Sequence, residues 1–123
     1  MSLSRIVMRL ARNPGTEYAE GDDHRGYALV APLTAEGRID APAFARLPGP
    51  CAVHRFAPDE EPADGRLARR GAHWYFRYEE GDDLDDEPVF RLGEHAFKVG
   101  EYVTITDEDR RPLTYKVVEV TAA

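Results

Sequence analysis

The chain has 123 residues and a mass of 13.8 kDa, which suits one domain able to bury its own core. Acid outweighs base, 23 residues against 16, for a net charge of -7. That balance disfavours nucleic acid and anionic lipid as partners, because both call for a net cationic face. One cysteine excludes an internal disulfide framework and a multi-thiolate metal site.

Other classes fall away on composition. No apolar run approaches the ~20 residues of a membrane helix. Arg9 breaks the apolar stretch at the N-terminus and no small-residue cleavage site follows it, so a cytoplasmic protein without a leader is expected. Serine occurs only at Ser2 and Ser4, on a segment too terminal to hold a nucleophile among a base and an oxyanion site. Glutamine is absent and Asn13 is the single asparagine, so a pocket that reads amides through carboxamides is not expected.

In chain order, residues 4–11 alternate, with Ile6, Met8 and Leu10 on one face, and predict a first strand. Asn13-Pro14-Gly15 ends it, and 16–25 reads as an exposed acidic loop. Residues 26–31 predict a second strand, apolar on both faces, with Pro32 at its end. A turn at 34–37 leads to one short helix near 40–47. Asp40 is its cap, Pro42 lies in its first turn, and Phe44 and Leu47 share a face. Residues 51–56 predict a third strand. Residues 58–65 read as an acidic turn region, and 66–70 fit either a short edge strand or a loop.

The strongest strand pattern is 72–78, where Trp74, Phe76 and Tyr78 alternate with His73, Tyr75 and Arg77. An acidic loop follows at 79–88, then a short strand at 89–92. A hairpin of 101–106 and 113–120 closes over 107–110, a loop length that suits a type I-based turn. Turn signals recur every ~8–12 residues. The expectation is a mainly β fold: a small antiparallel barrel or sandwich of six to seven short strands with one short helix, in a single domain spanning 1–123. Its core is expected to hold Ile6, Met8, Leu10, Tyr27, Leu29, Val53, Phe56, Trp74, Phe76, Val103, Ile105, Tyr115 and Val117.

No motif names an activity. Cys51 and His54 lie three apart on a strand and so face opposite ways, which leaves Cys51 as a small core residue. His24, His54, His73 and His95 are scattered, and no metal-ligand spacing links them. The segment 79–87 carries seven carboxylates in nine residues without the calcium-loop pattern, so it reads as a solvated acidic loop. Arg66, Arg69 and Arg70 form a basic cluster, but the acids at 59–64 offset its field. No glycine-rich phosphate loop occurs.

The most distinctive constellation is the row His73, Tyr75, Arg77. If the bulkier triplet turns inward, this row presents an imidazole, a phenol and a guanidinium at ~7 Å intervals. Such a row suits an anion, with Arg77 as a bidentate donor. The leading expectation is a non-enzymatic binding module, with a protein partner engaged by His73, Tyr75 and Arg77. The alternative is a barrel that binds a small molecule or anion, with or without weak enzymatic activity, in a pocket lined by some of His54, His73, Tyr75, Arg77 and His95. A nucleic-acid-binding barrel is the remote third reading. No metal and no cofactor are expected, and sheet edges leave homodimerisation open. Far-UV circular dichroism is expected to show a β spectrum, and a helix content above about a third would contradict the fold class.

Overall fold

The computed structural model describes residues 3–71, 73–78, 87–89, 95–106 and 111–123. Eight strands close into one antiparallel barrel in sequential order, and the last pairs with the first. They are β1 (Leu3–Leu10), β2 (Asp22–Pro32), β3 (Ala52–Ala57), β4 (Glu60–Arg70), β5 (His73–Tyr78), β6 (Glu87–Val89), β7 (Tyr102–Thr106) and β8 (Pro112–Ala122). One helix, α1 (Ala41–Arg46), lies between β2 and β3. The mainly β expectation holds, the sandwich is excluded, and the strand count rises to eight.

The extra strand is β4. The sequence reading split this stretch into an acidic turn and an ambiguous basic segment, whereas residues 60–70 form one continuous strand against β3 and β5. Pro62 is tolerated there because it falls at the register irregularity between Arg55 and Ala57, where a missing ladder donor costs least. Strand β2 starts at Asp22, earlier than expected, because Asp22 pairs with Leu10 beyond a register irregularity that follows the Arg9–Gly26 pair. Residues 87 and 88, read as the end of an acidic loop, pair with Phe76 and Tyr75 in β6. The rest of that loop, the strand residues 90–92 and the turn at 107–110 lie outside the described residues.

Alternation divides every strand into an inner and an outer row. Ile6 and Met8 of β1, Tyr27 and Leu29 of β2, Val53 of β3, Phe76 of β5, Val103 and Ile105 of β7 and Val117 of β8 are almost wholly buried. An eight-stranded barrel is just wide enough for side chains to fill it. Here Tyr27 packs against Phe76 and Tyr115, ring centroids 5.2 and 5.0 Å apart, across the middle of the interior. Phe56 is the one expected core residue that turns outward. It lies three positions from Val53 and so on the other face, half-buried, with the Arg9 guanidinium 5.4 Å from its ring centre.

The two ends are sealed differently. At the end holding the start of β1, Asp40 accepts a hydrogen bond from the Ala43 amide and starts α1 as expected. Phe44 then packs edge-on over Trp74 at 5.0 Å. The helix stops at Arg46, so Leu47 leaves the Phe44 face and is exposed. At the opposite end Asn13 substitutes for a strand residue. Its amide donates to the Ala11 and Thr114 carbonyls and its Oδ1 accepts from the Thr114 amide. Tyr18 lies between the Arg25 and Arg111 guanidiniums, 4.8 and 5.6 Å from its ring centre. Arg111 also grips Glu17 with two contacts of 2.7 and 2.8 Å and holds its carboxyl below the usual carboxylate range.

Two glycines set how closely strands approach. A Cβ on Gly26 would sit 1.9 Å from the Met8 carbonyl oxygen, and one on Gly65 would sit 2.3 Å from that of Arg77. Neither neighbour is a flexible side chain, so the backbone itself would have to shift. Gly26→Ala is therefore expected to destabilise by about 2 kcal/mol or more in urea unfolding. Glycine-to-alanine at Gly15, which has open space around it, lacks that clash but is strained by its φ of 86°.

Candidate functional site

Among the described residues the inner rows are apolar, and the polar and charged side chains stand on the outer wall. Alternation aims Arg5 and Arg9 of β1, Ala28 and Val30 of β2, Ala52, His54 and Phe56 of β3, Asp64, Arg66, Ala68 and Arg70 of β4, and His73, Tyr75 and Arg77 of β5 outward. A wall this rich in charge is the reverse of the apolar band on a lipid-facing barrel. Among the described residues no helix is long and apolar enough to cross a membrane.

The row on β5 forms as expected. Trp74, Phe76 and Tyr78 are buried, and His73 and Arg77 are exposed with Tyr75 half-buried between them. The neighbouring strand supplies what the sequence did not place. Arg66 lies directly opposite Arg77, Ala68 opposite Tyr75, and Arg70 opposite His73. Small Ala68 leaves the face of Tyr75 open to its flanks. The Arg70 and Arg77 guanidiniums stand 5.3 and 5.4 Å from that ring centre, and Arg77 reaches the Tyr75 hydroxyl at 3.4 Å. The β4–β5 wall therefore carries a cationic, aromatic-centred surface on an acidic protein.

Arg69, the third member of the basic cluster, does not join it. Its odd register turns it to the barrel mouth, where it lies 5.2 Å from the Trp74 ring centre and donates to the Gly71 carbonyl. The three arginines that look contiguous in sequence are thus split by strand alternation.

His54 does not share the β5 row. It sits two strands away on β3, directly opposite Asp64 of β4, with Nδ1 2.6 Å from the Asp64 carboxylate. A carboxylate only accepts, so Nδ1 carries the proton and Nε2 is the nitrogen turned to the surroundings. The imidazole also stacks on Phe56, centroids 6.4 Å apart. The pair is exposed, 46% for His54 and 75% for Asp64, so it fixes the ring's orientation and adds little stability. Beside it lies an open cleft of about 410 Å3, bordered by Arg5, Val30, Pro50, His54 and Arg66. Arg66 is steadied there by donating to the Gly49 carbonyl.

His24 lies exposed on β2, and among the described residues no group of three or more His, Cys, Asp and Glu is placed to hold a metal ion. Cys51 is wholly buried, as its register predicted, and burial pushes its thiol up. No family model, no curated protein and no solved structure matches this chain.

The buried thiol gives a direct check on this packing. Cys51 is expected to resist Ellman's reagent in the folded protein and to react promptly in denaturant. Its raised value also links to stability. The contribution is full below the unfolded thiol's 9.0 and is lost as pH rises through the folded value. Unfolding midpoints should therefore decline as pH rises from 9.0 towards the folded value, and Cys51→Ala should lose this part of the decline.

Proposed function

We propose that the chain is a non-enzymatic interaction module of the cytoplasm whose β4–β5 outer wall receives an acidic segment of a protein partner. The observation that carries the reading is the pair of guanidiniums, Arg70 and Arg77, that stand 5.3 and 5.4 Å from the Tyr75 ring centre on one outer face. A guanidinium presents planar, bidentate donors that match a carboxylate. Tyr75, with Arg70 on one flank and Arg77 on the other, supplies an amphipathic anchor of the kind enriched at interfaces.

The filled interior supports a surface role over an internal ligand site of the sort larger barrels enclose. The closed ladder also presents no open edge among the described strands, so a second copy of the chain would have to dock by a face. The net charge of -7 weighs against nucleic acid, which would be repelled at long range.

Fluorescence anisotropy with labelled poly-L-glutamate tests the reading, beside a single-stranded oligonucleotide of matched charge. Saturable poly-L-glutamate binding that weakens with salt is expected. The double substitution Arg70→Ser with Arg77→Ser should weaken it about tenfold or more, with the β spectrum retained. Equal binding by the double variant would remove this face, and tighter binding of the oligonucleotide would replace the proposed partner class.

A further inference from the structure

A second recognition site lies on the same wall, around the cleft between β2, β3 and β4. Its floor is low because the outward residues there are small: Ala28 on β2 and Ala52 on β3, with Val30 beside them. The long side chains stand around that floor. Arg5 borders it from β1 and Arg66 from β4, while the 49–50 turn closes one side. The result is an apolar base about 410 Å3 in volume, with Arg5 and Arg66 on its rim and one carboxylate, Asp64, which is engaged by His54.

Two hydrogen bonds hold the rim in place. Asp64 takes the His54 Nδ1 proton at 2.6 Å, and the Gly49 carbonyl takes one Arg66 N–H. A guanidinium has five N–H donors, so Arg66 keeps others after that bond. Arg5 is paired with Glu119 at 3.4 Å, an exposed contact that an incoming anion can displace at small cost.

We infer that this cleft binds a small oxyanion carrying a compact apolar body, with Arg5 and Arg66 on the oxyanion and the body against Ala28, Val30 and Ala52. Carboxylates and phosphate monoesters share this chemistry. The inference does not rest on the acidic-segment reading, since Arg66 alone borders both surfaces. His54 borders the cleft with Nδ1 held by Asp64 and its ring stacked on Phe56.

Titration of the 15N-labelled protein with benzoate, and separately with phenyl phosphate, tests this by NMR. Saturable amide shifts confined to 4–6, 28–30, 49–54 and 64–66 are expected, and the tighter of the two probes identifies the oxyanion. Arg5→Gln should weaken binding about tenfold and keep the fold. Shifts that are absent, spread over the whole surface or unchanged in Arg5→Gln would overturn the inference. The double variant at Arg70 and Arg77 leaves this cleft intact, so it is expected to bind both probes normally whatever becomes of the acidic-segment reading.

Discussion

The pairing of β1 with β8 is the constraint on which the rest of the molecule depends. Leu3–Leu10 runs antiparallel both to β2 and to β8, so the first strand is flanked on both sides. Once that seam closes, every inner row meets the others across one interior, and Tyr27, Phe76 and Tyr115 can touch at its centre. A slip of one residue in β1 would exchange Ile6, Met8 and Leu10 for Arg5, Val7 and Arg9 inside the barrel. The bulge between Val7 and Met8 keeps this register while β8 carries one residue more, leaving Val118 partly exposed.

Closure decides where function can reside. Among the described residues the inner rows are apolar and buried, so the polar side chains available for recognition stand on the outer rows. The mouths are occupied with sealing. Phe44 of α1 covers Trp74 at one, and Asn13, Tyr18, Arg25 and Arg111 close the other. Arg25 reaches Asp22, Asp59 and Glu60 from a largely buried position, tying the loop before β2 to the tight turn between β3 and β4. These charges hold structure together and are not spare for a partner.

On the outer wall the small residues matter as much as the charged ones. Ala68 opens the face of Tyr75, and Ala28 with Ala52 lowers the floor beside His54. Arg66 stands between the two surfaces, opposite Arg77 on one side and bordering the cleft on the other. The wall is thus a graded surface, from a compact cleft at β2–β4 to a broad cationic face at β4–β5.

Local periodicity settled much of this in advance. The alternation of Trp74, Phe76 and Tyr78 against His73, Tyr75 and Arg77 assigns both faces of β5, because a strand has only two and the bulkier set favours burial. The same rule separates Cys51 from His54, and Asp40 with Pro42 marks the start of α1. What alternation does not carry is the identity of the neighbour. That Asp64 faces His54, that Arg66 faces Arg77 and that Arg69 turns away from both follow from register, which is fixed only when all eight strands share one closed ladder. The strand status of 60–70 was hidden for the same reason: its polar, proline-containing sequence has weak propensity and is held extended by β3 and β5 on either side. The sequence by itself therefore determined the class of fold and the two faces of its clearest strands, since these depend on chain-local geometry. The tertiary structure alone decided which side chains meet, because cross-strand pairing is a property of the closed sheet and of no single segment.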